Sequence, residues 1–147
     1  MLNNKKGIAL FTDGSAYHKD GSGGWAWAAI DCFGGEEIGS GSASDVTNNQ
    51  MEMTAWIKGL DHLFESLGSC DVLVYSDSQY VGYGAMDRKR ARRRNKGLWV
   101  SIDLAIDQHR YIEFVWVKGH HDSHYNQLVD ELAGNARKQG RNEPTRT

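Results

Sequence analysis

Two short, unbroken apolar runs stand out along the chain, Ile8-Ala9-Leu10-Phe11-Thr12 and Val72-Leu73-Val74-Tyr75-Ser76. Runs of this kind are expected of central strands covered on both faces of a sheet. Trp25 to Ile30 reads as a further strand and Glu36 to Ala43 as a weaker one, with Gly34-Gly35 between them as a hairpin-type turn. From Asn49 the period changes: Met53, Trp56, Ile57, Leu60, Leu63, Phe64 and Leu67 repeat at helical spacing, with Thr47, Asn48 and Asn49 as start signals and Gly68 as the stop. A short helix is expected from about Ser78, a second over Leu98 to Gln108, a fifth strand over Tyr111 to Val117, and a last helix over Asn126 to Gln139. Leu128, Val129, Leu132, Ala133 and Ala136 form the buried stripe of that last helix. This order predicts an α/β fold: a five-stranded mixed sheet, strands 1–3 antiparallel and strands 4 and 5 parallel, flanked by helices.

The length of 147 residues suits one domain, expected over residues 1–139, with residues 140–147 as a disordered tail. Two cysteines without CxxC spacing give neither a disulfide scaffold nor a zinc site and point to a reducing compartment. No apolar signal core and no run of membrane-spanning length is present, so the expectation is a soluble, cytoplasmic monomer without a membrane partner. Net charge is −2, but its distribution is uneven. Of the 17 Lys and Arg residues, seven fall between Arg88 and Lys96, leaving 10 against 19 acids elsewhere. An acidic body with one dense basic segment fits a nucleic-acid contact patch, and it equally fits a solvated charge run.

Four acids stand at the ends or starts of these elements: Asp13, Glu52, Asp77 and Asp130. Each has an ordinary explanation alone. Asp13 opens a turn, Glu52 completes a capping box with Asn49, Asp77 caps the next helix, and Asp130 favours a helix N-terminal half. Asp13 and Asp77 weigh more as a pair, because neighbouring strands lie about 4.8 Å apart. Two carboxylates at such spacing raise one another's pKa unless a cation neutralises them. Oxygen ligands without a Cys cluster favour Mg²⁺ or Mn²⁺ over zinc, and a pair of such ions about 3.5–4 Å apart suits attack on phosphodiesters.

The motifs Thr12-Asp13-Gly14-Ser15, Thr47-Asn48-Asn49 with Met51-Glu52, Tyr75-Ser76-Asp77-Ser78-Gln79-Tyr80-Val81, Trp116-Val117-Lys118-Gly119-His120, and Asn126 with Asp130-Glu131-Leu132-Ala133 occur in one order over residues 8–137. In this the sequence resembles type 1 ribonuclease H, the bacterial RNase HI family. The resemblance implies hydrolysis of the RNA strand of RNA/DNA hybrids to 3′-hydroxyl and 5′-phosphate ends, with two Mg²⁺ ions held by Asp13, Glu52, Asp77 and Asp130. It implies a proton-shuttling or product-releasing role for His120, preferred over the adjacent His121, with Asn126 positioning that loop. It places Asn48 and Gln79 at RNA 2′-hydroxyls, and Thr47, Asn49 and Asn95 at the DNA strand and its phosphates. Trp99 corresponds to a tryptophan of the DNA channel, and core packing explains it equally well. Competing readings are a hybrid-binding module without catalysis and another ribonuclease H-like nuclease.

Two departures from the family pattern matter. Asp45 stands where many bacterial relatives carry an Arg beside the phosphate pocket, and Lys19 is a candidate to restore the charge. The basic handle, residues 84–97, is about a dozen residues shorter than in relatives with a full protrusion. The expectation is that Arg92, Arg93 and Arg94 still grip the hybrid, with electrostatic, salt-sensitive binding.

Overall fold

The computed structural model describes residues 2–90, 92–118 and 123–142. Strands β1 (Ile8–Ala16), β2 (Gly23–Ile30) and β3 (Glu36–Ala43) precede helix α1 (Asn48–Leu67). Then come β4 (Asp71–Ser76), α2 (Gln79–Met86), α3 (Lys96–Asp107), β5 (Tyr111–Trp116) and α4 (His124–Asn142). The sheet order is β3-β2-β1-β4-β5, antiparallel among the first three strands and parallel from β1 to β4 to β5. This is the mixed sheet the apolar pattern predicts, with β1 and β4 as inner neighbours.

Both faces are covered, which is why β1 and β4 lack alternation. On one face Ile8, Leu10, Val72 and Val74 pack with Met53, Trp56, Leu60 and Leu63 of α1 and with Val81, Trp99 and Ile102. On the other, Phe11, Ala26 and Ala28 pack against Val129 and Ala133 of α4. Small residues let α4 sit close: a methyl group added at Gly24 of β2 would lie 2.1 Å from the Ala133 carbonyl oxygen.

Three local differences from the sequence expectation have physical causes. β1 runs past Asp13 to Ala16, because the antiparallel ladder with β2 continues to Ala16↔Gly23 after the parallel ladder with β4 has stopped at Phe11↔Tyr75. The β2–β3 turn centres on Asp31 rather than on a two-residue Gly34-Gly35 turn. Its carboxylate accepts the N–H groups of Phe33 (2.9 Å), Gly35 (2.8 Å) and Asn3 (2.6 Å). Helix α4 continues through Gly140 to Asn142, beyond the expected stop at Gln139, with Gly140 close against Ser42 of the β3 end.

His109 ties the far end of the sheet to α1. Its Nδ1 accepts the Cys70 N–H at 3.1 Å and its Nε2 donates to the Leu60 carbonyl at 2.9 Å, so the ring is held in one neutral tautomer. Burial holds its pKa below the ordinary 6.5. Above pH 6.5 the ring is neutral folded or unfolded. As pH falls through 6.5 the unfolded chain binds a proton that the folded one refuses, and stability drops by up to about 1.4 kcal/mol per pH unit. In urea unfolding, the part of the wild-type stability that His109→Gln lacks should shrink as pH falls from 7.5 to 5.5, and a wild-type-to-variant difference that stays constant over that range would contradict it.

Candidate active site

The site begins with a backbone contact. At Gly14, β1 lies so near the first turns of α1 that an added Cβ would sit 2.3 Å from both the Glu52 nitrogen and the Met51 carbonyl carbon. Only a residue without a side chain permits this approach. It sets Asp13 beside Glu52. Asp77 joins them from the parallel strand, since Asp13 and Asp77 each lie two residues beyond the last β1–β4 pair, Phe11↔Tyr75. On β1, Asp13 shares the face of Phe11, whose ring stacks on Tyr75 of β4 at 4.7 Å and on Tyr125 of α4 at 5.4 Å, while Asp77 follows directly on the end of β4 at Ser76.

Asp13, Glu52 and Asp77 can bring ligand oxygens within 4.8 Å of one another. Asp13 is 6% exposed and Glu52 8%. Asp130, exposed on α4, lies farther out, but its charge is felt at Asp13. The electrostatic consequence is strong. Burial, together with the charges of Asp77 and Asp130, pushes the Asp13 carboxyl up to about 7, although hydrogen bonds from Glu52 and the Gly14 N–H oppose the rise. Burial, the Asp13 charge and a side-chain hydrogen bond to Asp13 push Glu52 well above the ordinary carboxylate range.

The individual explanations of these acids give way to other residues. The capping box of α1 is Thr47 with Gln50: the Thr47 hydroxyl accepts the Gln50 N–H at 3.2 Å, and Gln50 Oε1 accepts the Thr47 N–H at 3.0 Å. Helix α2 is capped by the Ser78 hydroxyl, which accepts the Val81 N–H at 3.2 Å. Glu52 and Asp77 are therefore not needed as caps. Glu52 Oε2 is buried without a hydrogen-bond partner, and the donor set consists of carboxylate oxygens alone. Such a cluster fits a hard divalent cation, which would supply the missing partner.

One helical turn back along α1, a pocket of about 460 Å³ is lined by Thr47, Asn49, Tyr80, Arg93, Arg94 and Asn95. Asn95 stands at φ 60°, ψ 38°, a left-handed position that asparagine tolerates, and its side chain does not cap α3. Instead it bridges two elements, accepting from Gln50 Nε2 at 3.3 Å and donating to the Tyr80 hydroxyl at 3.2 Å. Asp45, also left-handed at φ 57°, precedes the pocket, a conformation for which Asp is better suited than Arg. Arg93 and Arg94, not Lys19, supply the cations among the residues lining it.

A family model described as RNase H matches residues 5–138. The chain belongs to the ribonuclease H family. A ribonuclease H of Hydrogenovibrio crunogenus is 39% identical over 142 residues, covering 88% of this chain and 94% of the relative. A ribonuclease HI of Haemophilus ducreyi is 38% identical over 152 residues, covering 95% and 94%. Among solved structures, an N-terminal RNase H domain from Mycobacterium tuberculosis, fused to maltose binding protein, superposes with a TM-score of 0.81 at 23% identity, covering 94% of this chain and 97% of that one. LC11-RNase H1 in complex with an RNA/DNA hybrid gives 0.77 at 22% identity, covering 90% and 98%. These two share the fold. Through its family and relatives, the chain is a ribonuclease H enzyme.

Within this ribonuclease H, the expected substrate residues divide. Thr47, Asn49, Asn95, Arg93 and Arg94 come together at the pocket. Asn48 and Gln79 are exposed at the starts of α1 and α2, and Asn48 Oδ1 also accepts the Ala16 N–H at 2.6 Å. Asn126 is half-buried in the first turn of α4. His120, like His121, lies outside the described residues. Two expectations are corrected. Trp99 is 3% exposed and packed in the core against Tyr80 and Gly84, so it offers no face to DNA. Arg92 is 14% exposed at its side chain and engaged in a bidentate pair with Asp103, so it is a fixture of the fold rather than a contact for the hybrid. Neither Tyr80 as a pocket residue nor Gln50 as the residue that holds Asn95 there is expected from the sequence. The Thr47-x-x-Gln50 capping box was a readable signal for Gln50, while nothing local marks Tyr80.

Gly14→Ala should cost at least about 1–3 kcal/mol in denaturant unfolding, as an overpacked contact between backbones, and should lower turnover by parting Asp13 from Glu52. A second expectation concerns the acids without a cation. As pH rises from their ordinary values of 3.8 and 4.5 toward about 7, the unfolded chain ionises while the folded cluster resists, and stability declines. In EDTA at pH 7, Glu52→Gln should therefore melt higher than wild type, and divalent cation should raise the wild-type melting temperature more than that of the variant.

Proposed function

We propose that this chain cleaves the RNA strand of RNA/DNA hybrids at the Asp13, Glu52 and Asp77 cluster, leaving 3′-hydroxyl and 5′-phosphate ends, with two Mg²⁺ ions as cofactors and Mn²⁺ as a substitute. The observation that carries this reading is the meeting of three carboxylates from three elements, with one buried oxygen lacking a partner. Divalent cations held by these acids would supply Lewis acidity at the scissile phosphate.

The chain's own residues prepare that chemistry. Asp13, grouped with Glu52 and Asp77 and within the field of Asp130, would be the central acid of the set that holds the cations. Asp130, exposed on α4, would complete the set of acids that holds the cations from the solvent side. His120 moves protons or assists product release, and Asn126 positions its loop. Thr47, Asn49, Arg93, Arg94 and Asn95 hold a DNA phosphate about one helical turn from Glu52, roughly 5 Å along α1, while Asn48 and Gln79 meet RNA 2′-hydroxyls. Binding and cleavage are thereby registered by a single helix. The protein acts as a cytoplasmic monomer, and among the described residues no helix is long and apolar enough to cross a membrane.

Incubation of labelled RNA/DNA, RNA/RNA and DNA/DNA duplexes with Mg²⁺ tests the reading. Only the RNA strand of the hybrid should be cut, and Asp13→Asn should lose at least roughly a hundredfold in rate, the scale of removing one electrostatic partner of a transition state. Cleavage of all three duplexes, or undiminished activity in Asp13→Asn, contradicts it.

A further inference from the structure

The basic segment holds two kinds of arginine. Arg92 sends Nη1 to Asp103 Oδ2 at 2.7 Å and Nη2 to Asp103 Oδ1 at 3.0 Å, and donates again from Nη2 to the Gly84 carbonyl at 2.7 Å. Its guanidinium lies 4.5 Å from the centre of the buried Trp99 ring. A bidentate, stacked and largely buried guanidinium is an anchor with little charge to offer a ligand. Three residues later, Asn95 pins the chain again between Gln50 of α1 and Tyr80 of α2. Arg93 and Arg94 lie between these anchors, exposed, and both line the pocket.

We propose that Arg92 and Asp103 form a latch that positions Arg93 and Arg94 at the Thr47–Asn95 pocket and so sets how tightly the hybrid's DNA strand is held. Arg92 is thus a positioning residue for substrate binding. The proposal rests on the hybrid-binding reading above. Its physical basis is entropic: two long side chains on a free basic loop would have to be ordered at each binding event, whereas the latch orders their backbone beforehand. The need is acute because the loop before the pocket contributes Asp45 rather than a cation.

Charge counting and the latch make opposite forecasts. Asp103→Asn removes a negative charge, so electrostatics alone predicts equal or tighter binding to a polyanion. The latch predicts weaker binding. Arg92→Lys leaves the charge unchanged but loses the fork and the planar stack. Hybrid affinity would be measured by fluorescence anisotropy in EDTA across a salt series, and KM and kcat with Mg²⁺, after thermal unfolding has shown each variant folded at the assay temperature.

Both variants should bind roughly tenfold more weakly, the scale of two phosphate contacts, with a salt slope shallower by about 1–2 and KM raised at little-changed kcat. Arg88, paired with Asp107 at 2.5 Å, keeps that partner in both. Wild-type affinity and salt slope in either folded variant overturn the latch, and Arg92→Lys decides alone if Asp103→Asn does not fold. Failure of the wild type itself to bind hybrid overturns the underlying reading, and the latch's binding role with it.

Discussion

The contact between β1 and α1 at Gly14 governs the rest of the site. The missing side chain lets two backbones approach until Asp13 and Glu52 meet, each pushed up by burial, and the parallel register of β1 and β4 delivers Asp77 to the same place. Folding energy from both faces of the sheet holds these acids together against their repulsion. The apolar layers around Leu10, Trp56 and Leu60 on one side and Phe11, Val129 and Ala133 on the other leave β1 no freedom to retreat. Function here is a locally unfavourable arrangement sustained by a favourable surround.

A similar division of labour operates among the cations. The seven basic residues of the shortened handle look interchangeable in the sequence, yet they are not equivalent in the fold. Arg88 and Arg92 pair with Asp103 and Asp107 on α3, whereas Arg93 and Arg94 open toward the pocket. Acids of the body thus neutralise part of the basic segment to shape the remainder. Helix α1 then links the pocket at its first turn to the acid at Glu52.

Much of this was legible in the chain because it depends on periodicity. The unbroken runs of β1 and β4 mark central strands, the helical repeat from Met53 to Leu67 marks α1, and the register places Asp13 and Asp77 together before any family is invoked. Glu52 was less legible, since a capping role was available to it until Gln50 was seen to take that role. Trp99, left open between core and DNA channel, and Arg92, expected at the hybrid, were hard to place for one reason: linear sequence shows an aromatic or a charge but not which neighbour consumes it. Burial against Gly84 and pairing with Asp103 are long-range facts. The continuation of β1 past Asp13 escaped notice because its pairing with Gly23 and Gly24 carries no apolar signal.

Two acids pushed up by burial, Asp13 and Glu52, should hold a proton that a divalent cation displaces. Calorimetric titration of Mg²⁺ or Mn²⁺ into the protein near pH 6.5, repeated in buffers of different ionisation enthalpy, counts the protons released. The wild type should release about one proton per molecule, most of it lost in Glu52→Gln. Cation binding without proton release, or equal release from Glu52→Gln, would contradict it.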